Sequence, residues 1–177
     1  MALRSIAADP DNGWSWYNLG YIYQVHLQRV PEAIEAYRRS VSVDSNYVRP
    51  WENLGALLAW EGNDATGAED AFIKARALGD MSAYGLNHYG VFLREHTDRF
   101  QEAEEAFQTA ISLEPFEWCH RVALAVLYEK KLARYSDARR LLLEARNLGA
   151  PLHDIEYRLA LSSQKLRRMI SPVPRSP

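Results

Sequence analysis

The clearest feature of the sequence is a run of apolar and small residues that returns every 35 positions. The run at 16–23 reads Trp-Tyr-Asn-Leu-Gly-Tyr-Ile-Tyr, and related runs follow at 51–58, 86–93 and 121–128. The small residue keeps its place in every copy, as Gly20, Gly55, Gly90 and Ala125. Self-similarity at a fixed period of this length is typical of repeat proteins, in which each unit buries its apolar face against its neighbours.

The second half of each copy keeps the same period. Alanines at Ala33, Ala68, Ala103 and Ala138 are each followed four residues later by a large apolar residue, namely Tyr37, Phe72, Phe107 and Leu142. Spacings of three and four residues place such side chains on one face of a helix. Each copy therefore predicts a pair of amphipathic helices. The bounds predicted most directly are 13–26, 31–43, 50–60, 82–96 and 100–113, with a last helix over 154–170.

The first copy resembles the tetratricopeptide repeat family, whose unit opens W-x2-L-G-x2-Y and continues A-x3-F and P. Trp16, Leu19, Gly20 and Tyr23 match this opening, and the resemblance covers about four-fifths of the chain. The third and fourth copies lack the tryptophan. The period is one residue longer than the family's, and the spacing from Tyr23 to Ala33 predicts that the extra residue lengthens the loop between the paired helices. The resemblance implies an all-α fold, an α-solenoid in which antiparallel helix pairs form a right-handed superhelix.

We predict four repeats over residues 13–152, at 13–47, 48–82, 83–117 and 118–152. Residues 1–12 keep the repeat register and are interpreted as the tail of a preceding partial repeat. Either the chain is a piece of a longer array or this is a natural N-terminal stub, and the register favours the first. Residues 153–170 predict a helix that caps the array. Residues 171–177, rich in proline and serine, predict a disordered tail.

Composition excludes several classes of function. The chain is 47% hydrophobic and 25% charged, which is ordinary for a globular protein, and its net charge of -2 favours neither nucleic acid nor an anionic membrane as a partner. No apolar run approaches the roughly 18 residues of a membrane helix. The single cysteine, Cys119, excludes an internal disulfide and fits a reducing compartment, although a cysteine-poor exported protein would look the same. We interpret the protein as cytoplasmic.

The sequence contains no recognisable catalytic, metal-binding or cofactor-binding motif. Its five histidines form no His-Glu-x-x-His motif and no ordered pairing with Cys119. Cys119 lies near a predicted helix start, where the pKa of a thiol can fall, but the absence of a partner favours an inert thiol. We therefore expect a protein that is not an enzyme and that needs no cofactor.

In the resembled family, the first helix of each pair lines a concave groove, and this relation selects the candidate binding residues. Several of them are large rings, which suit a half-wet contact surface, and others are asparagines, which can pair with a peptide backbone. The candidate groove residues are Trp14, Tyr17, Asn18, Tyr21, Arg49, Asn53, Trp60, Tyr84, Asn87, His88 and Arg94. Gln24, Val25 and Glu52 fall at further groove positions. For any single ring, the alternative is a place in the core between repeats.

The resemblance implies a non-catalytic protein–protein interaction module that binds a peptide or a partner helix in this groove. The alternative is a structural scaffold, a segment of a longer array that assembles through its end faces. In that case a homo-oligomer would form through the N-terminal edge, near Leu3 and Ile6. The two hypotheses differ in which surface they require.

One variant of the family can be tested on the sequence. In the resembled family, the repeat domains that bind the C-terminal carboxylate of heat-shock chaperones do so through a clamp of Lys, Asn, Asn, Lys and Arg at defined positions. Those positions hold Tyr17, Tyr21, Asn53, Tyr84 and His88 in this chain, so only Asn53 matches. The sequence does not favour binding of chaperone tails.

Overall fold

The computed structural model describes residues 2–170, and helices occupy most of that part of the chain. The α-helices are α1 (Ala2–Ala8), α2 (Gly13–Tyr21), α3 (Val30–Val43), α4 (Val48–Trp60), α5 (Ala65–Leu78), α6 (Ala83–His96), α7 (Phe100–Leu113), α8 (Trp118–Leu127), α9 (Tyr135–Asn147) and α10 (Leu152–Ile170). Residues 2–170 contain no strand, which confirms the predicted all-α fold of helix pairs. The tail predicted over 171–177 lies outside the described residues.

The chain divides into two compact units, Met1–Phe92 and Leu93–Pro177, and the division falls within α6. In the first unit, α2 packs on α1 and α3, α4 packs on α5, and α3 also contacts α4. In the second unit, α8 packs against α7 and α9, and α9 packs against α10. Each unit therefore builds its core from neighbouring helices along the chain.

The paired helices of the first unit meet where a glycine faces a ring. A Cβ atom at Gly20 would lie 2.6 Å from the ring of Tyr37, and one at Gly55 would lie 3.0 Å from the ring of Phe72. Both rings are fully buried. Glycine inside a helix costs about 0.5–1 kcal/mol relative to alanine, so these positions give up helix propensity to let a ring lie against the backbone.

The second unit carries different residues at the corresponding repeat positions of α8 and α9. Its counterparts of the glycine and the ring are Ala125 and Leu142, both fully buried. A slightly larger small residue thus goes with a smaller partner, as expected for interiors packed to near-constant density.

The extra residue of the 35-residue period is accommodated in a way that the sequence did not predict. In the first and fourth copies, the first helix continues into a π-helical turn, Ile22–His26 after α2 and Tyr128–Leu132 after α8. The bond from Leu27 N to Ile22 O, 3.1 Å long, shows the wider spacing. A π-helical turn inserts one residue without ending the helix. The prediction of a simply longer loop is therefore wrong for these two copies.

The loop that follows the first helix contains a left-handed residue at the same repeat position in three copies. These residues are Gln28, Asn63 and Ala133, with φ angles of 53°, 47° and 53°. Asparagine tolerates this conformation, whereas a residue such as alanine pays a steric cost of about 1–2 kcal/mol. The conformation recurs without a glycine, so no residue type in the sequence marks it.

The last helix is anchored to the fourth copy by a buried carboxylate. The Glu129 side chain is buried and accepts hydrogen bonds from Ser162 Oγ and, at 3.2 Å, from the Arg158 guanidinium. Because both donors belong to α10, this contact fixes the helix on the π-helical turn that contains Glu129. The helix begins two residues earlier than predicted, at Leu152.

We predict that Gly20→Ala lowers the free energy of unfolding by about 1–3 kcal/mol, although alanine is the better helix former. The added methyl group would overlap the ring of Tyr37, which has no room to move in a packed core. Urea unfolding followed by circular dichroism measures the change.

The matched control combines Gly20→Ala with Tyr37→Leu, which recreates the pairing of Ala125 with Leu142. In the Tyr37→Leu background, Gly20→Ala should lower the free energy of unfolding by less than it does beside tyrosine. A double-mutant cycle measures this difference as a coupling energy. Equal costs of Gly20→Ala in the two backgrounds would contradict the proposed contact.

Candidate functional site

An open cleft of about 310 Å³ lies in the first unit between α2, α4 and the start of α6. It is lined by Tyr17, Tyr21, Gln24, Val25, Arg49, Glu52, Asn53 and Tyr84. The Tyr21 and Tyr84 side chains are 44% and 48% exposed. Large rings that stand open to solvent in a concave site are available for contact with a ligand.

The cleft brings together a large part of the predicted groove. The predicted residues that line it are Tyr17, Tyr21, Arg49, Asn53 and Tyr84. Two more adjoin it, because the His88 ring lies with its centroid 4.1 Å from Tyr84 and 5.3 Å from Trp60. Tyr84, His88 and Trp60 therefore form a continuous row of rings, which we call the aromatic row, at the side of the cleft.

Three other predicted residues are not part of the cleft lining. Trp14 is exposed on the first turn of α2. Asn18 and Asn87 are half-buried, and each has one buried atom, Nδ2 of Asn18 and Oδ1 of Asn87, that lacks a hydrogen-bond partner among the described residues. These two atoms are exceptions to the rule that buried polar groups are paired.

Arg94 departs most clearly from the sequence prediction. It lies in the second unit, is 8% exposed, and donates hydrogen bonds to the carbonyl of Ala123 at 3.1 Å and to Glu95 at 2.8 Å. Its guanidinium therefore ties α6 to α8 within that unit. The sequence predicted Arg94 as a groove residue, because the pattern of repeats does not show which long side chains fold back onto a neighbouring helix.

The floor of the cleft is fixed by a hydrogen-bonded phenol. Tyr37 Oη donates to Gln24 Oε1 at 2.7 Å and accepts from Asn53 Nδ2 at 3.0 Å. Burial raises the pKa of Tyr37, so its hydroxyl stays neutral at physiological pH. Asn53 is itself buried and has already used one amide hydrogen. Asn53 therefore helps to hold the floor of the cleft in place, and its remaining amide groups are those that could pair with a peptide backbone, as the sequence predicted for the groove asparagines.

Tyr37 was missed as a site residue because it belongs to the second helix of its pair. The sequence nevertheless carries a signal, since the same position holds Phe72, Phe107 and Leu142 in the other copies. A hydroxyl added to an otherwise apolar core position needs a hydrogen-bond partner. The partner must lie beside the edge of the Tyr37 ring that carries the hydroxyl. In this structure that edge meets Gln24 and Asn53 of the cleft lining.

The Tyr17 ring connects the cleft to the core behind it. Its centroid lies 5.9 Å from that of Tyr37 and 5.2 Å from that of Tyr47. Burial raises the pKa of Tyr17 and also that of Tyr84. Both phenols therefore remain neutral hydrogen-bond donors at physiological pH.

Glu52 forms a buried acidic wall of the cleft. Its side chain is 1% exposed, and its two oxygens accept hydrogen bonds from Ser82 N at 2.6 Å and from Ser82 Oγ at 2.7 Å. Ser82 directly precedes α6 and caps it, because its Oγ also accepts from Gly85 N at 2.9 Å. The carboxylate therefore lies at the N-terminus of α6, where the helix dipole stabilises negative charge.

The close approach of Glu52 requires a glycine on α6. A Cβ atom at Gly85 would lie 2.4 Å from the carboxyl carbon of Glu52. Burial raises the pKa of Glu52, and the hydrogen bonds of Ser82 together with the charge of Arg49 partly oppose this rise. The sequence placed Glu52 in the groove, but its burial depends on a contact between α4 and α6 that the repeat pattern does not reveal.

Cys119 shows no sign of activation. Its sulfur lies 3.6 Å from His120 Nδ1 and 3.8 Å from a Glu117 oxygen. Burial raises the pKa of the Cys119 thiol, and the neighbouring Glu117 carboxylate adds to this effect. The thiol is therefore protonated at neutral pH, which favours the inert interpretation.

Residues 2–170 contain neither a metal-binding cluster nor a membrane-spanning helix. No group of three or more His, Cys, Asp or Glu side chains in this part of the chain is arranged to hold a metal ion. Among the helices described, none combines the length and the apolar character needed to cross a membrane.

Comparison with known proteins places the fold. A tetratricopeptide repeat family model matches residues 1–35, and no curated protein matches the chain. Among solved structures, YrrB, described as a TPR protein with an unusual peptide-binding site, is 14% identical with a TM-score of 0.77, over 96% of this chain and 85% of YrrB. PilF of Pseudomonas aeruginosa is 18% identical with a TM-score of 0.71, over 96% and 81% of the two chains. A thermophilic TPR protein of Thermus thermophilus is 20% identical with a TM-score of 0.69, over 92% and 87%.

Consecutive helix pairs with a small residue and a ring or leucine at matching repeat positions define an all-α helical repeat protein. The family model matches residues 1–35, and the likeness to solved tetratricopeptide repeat structures extends over most of the chain. The chain therefore has the fold of tetratricopeptide repeat proteins.

We predict that ionisation of Glu52 lowers the stability of the folded chain. Its pKa is raised in the folded state, so the folded chain binds more protons than the unfolded chain between the two pKa values. The free energy of unfolding therefore falls as the pH rises through that window. Unfolding of the wild type and of Glu52→Gln, measured from about pH 4 to about pH 7, isolates this contribution.

Across this range the wild type should lose free energy of unfolding relative to Glu52→Gln, which cannot ionise. A difference between the two proteins that does not change with pH would show that the folded state leaves the pKa of Glu52 unshifted.

Proposed function

We propose that this protein binds a peptide segment of a partner protein in the cleft of the first unit. The observation that carries the proposal is the convergence of Tyr17, Tyr21 and Tyr84 on one open cleft. Tyr37 lies behind them, with its ring centroid 5.9 Å from that of Tyr17 and its hydroxyl bonded to Gln24 and Asn53 of the cleft lining. A rigid aromatic surface binds at a lower cost in conformational entropy than one that must first be ordered.

The chemistry of the lining suits a peptide. Tyrosine is enriched among the residues that dominate binding energy at protein interfaces, because it buries a large apolar body and keeps a hydroxyl for hydrogen bonding. Gln24 and Asn53 add amide groups at the floor, where they can meet the backbone of a bound segment after the contact with Tyr37 is satisfied. The cleft thus offers both apolar surface and amide groups that can fix the position of a bound peptide backbone.

The volume of the cleft limits how much of a peptide it can hold. A volume of about 310 Å³ lies at the lower limit of pockets for small ligands, which run from roughly 300 to 1,000 Å³. It accommodates one or two side chains, and the aromatic row offers further surface for the neighbouring residues of an extended or helical segment. The peptide-binding site described for YrrB, whose fold this chain shares, supports this proposal.

The remaining expectations from the sequence stay predictions. These are the cytoplasmic location and assembly of the protein through its N-terminal edge. Ile6 of α1 is half-buried, because this helix packs on α2.

The proposal is tested by selecting binders from a displayed library of random peptides with the full chain as bait. One selected peptide is then titrated against the wild type and against the Tyr21→Ser, Tyr84→Ser double variant. We expect the double variant to bind about tenfold or more weakly, because it loses two aromatic contacts.

Tyr157→Ser is the matched control, since Tyr157 is 69% exposed and lies on α10, outside the cleft. It should bind the peptide like the wild type, and circular dichroism should show that both variants remain folded. Equal affinity of the double variant and the wild type, or a library that yields no binder, would contradict peptide binding in this cleft.

A further inference from the structure

Building on the proposed cleft, we infer that Arg49 selects partner segments in which an aspartate or glutamate stands beside the apolar side chain that packs on the tyrosines. Selection of this kind follows from the distribution of charge over the helices that surround the cleft.

The helices that line the cleft are almost free of charged residues. Along α2, the π-helical turn after it, α4 and residues 83–92 of α6, the only Asp, Glu, Lys or Arg residues are Arg49 and Glu52. Glu52 is 1% exposed, whereas the Arg49 side chain is 52% exposed. Arg49 is therefore the one accessible formal charge that these described segments present.

The paired helix α3 shows that this scarcity is specific to the cleft side. α3 carries four charged residues within eight positions, namely Glu32, Glu35, Arg38 and Arg39. Surface charges of mixed sign are ordinary for a solvated helix face. A single accessible arginine among tyrosines is instead arranged for one charged contact, and a bound segment that covers these rings would strengthen that contact by excluding water.

The geometry leaves the Arg49 guanidinium able to take a second partner. Its ion pair with Glu52 is long, at 3.5 Å, while Ser82 holds the same carboxylate at 2.6 and 2.7 Å. A guanidinium has five N–H donors in a planar fork that fits a carboxylate through two parallel hydrogen bonds. The carboxylate of a ligand can therefore engage Arg49 from the solvent side.

The nearby Glu52 carboxylate disfavours anions of higher charge. Arg49 and Glu52 together have no net formal charge, so the cleft attracts an anion through the direct contact with Arg49 more than through a long-range field. A phosphate group carries about 1.5 to 2 negative charges at neutral pH and is repelled by Glu52 more strongly than a carboxylate is. A cationic segment is disfavoured as well, because Arg49 stands at the cleft and Ser82 already occupies the oxygens of Glu52.

The test repeats the peptide selection with Arg49 variants of the full chain. Peptides selected by the wild type should be enriched in Asp or Glu next to an aromatic or aliphatic residue. Arg49→Gln should lose the acidic preference and keep the apolar one, and Arg49→Glu should favour Lys or Arg in its place. Arg49→Lys retains the charge and should keep a weaker acidic preference, which separates loss of charge from damage to the fold.

A double-mutant cycle then tests whether the acidic residue of the peptide contacts Arg49. Changing the acidic residue of a selected peptide to its amide should weaken binding to the wild type about tenfold, as expected for a charge-assisted contact. The same change should alter binding to Arg49→Gln by no more than about twofold, because the partner is already gone. Equal losses on the two proteins would overturn the assignment of Arg49.

The outcomes separate this inference from the proposed function. If Arg49→Gln selects peptides as acidic as those of the wild type while Tyr21→Ser, Tyr84→Ser still loses them, the cleft binds peptides and the role of Arg49 is wrong. If the Tyr21→Ser, Tyr84→Ser variant still selects the same peptides, the proposal that peptides bind in this cleft is wrong. Tighter binding of a phosphoserine peptide than of its acidic counterpart would overturn the preference for a carboxylate.

Discussion

The contact between Gly20 and the ring of Tyr37 is the constraint on which the first unit and its cleft both depend. Because Gly20 has no side chain, the ring lies against the backbone of α2 and closes the pair of α2 and α3. In the same position, the hydroxyl reaches Gln24 on one side and Asn53 on the other. One residue thus closes the core of a repeat and builds the floor of the candidate site.

The next pair shows what the contact does without the hydroxyl. Phe72 lies against Gly55 in the same way, but its ring continues into an apolar cluster, with centroids 5.5 Å from those of both Tyr89 and Phe92. The Phe72 ring has no polar group with which to bond a neighbouring helix, whereas the Tyr37 hydroxyl accepts a hydrogen bond from Asn53 of α4. A single oxygen atom therefore lets Tyr37 serve both the core and the floor of the cleft, whereas Phe72 serves the core alone.

The sequence predicted the helix pairs well, because their determinants are local. The recurring small residue and the ring in the following helix are visible as a 35-residue period, and both depend on contacts within one copy. The π-helical turns escaped prediction, since Ile22–His26 and Tyr128–Leu132 differ from an ordinary helix end by one residue of hydrogen-bond register. Nothing in the residue types of those turns marks that shift.

The candidate site was predicted in outline and missed in its details for a different reason. The resemblance selected the tyrosines of the cleft and Arg49 by position alone. Whether a polar side chain there is open or engaged depends on partners distant in sequence, as Ser82 is for Glu52 and Ala123 is for Arg94. Such pairs form about one repeat apart, a distance over which the pattern of a single copy carries no information.

The central claim, that a peptide occupies this cleft, is tested most directly by nuclear magnetic resonance with selective labelling of the ten tyrosine rings. On addition of a selected peptide, the ring signals of Tyr17, Tyr21 and Tyr84 should shift, because these rings line the cleft. The signals of Tyr135 and Tyr157, which lie on α9 and α10, should stay in place. Shifts confined to Tyr135 and Tyr157 would contradict the account and move the binding surface to the second unit.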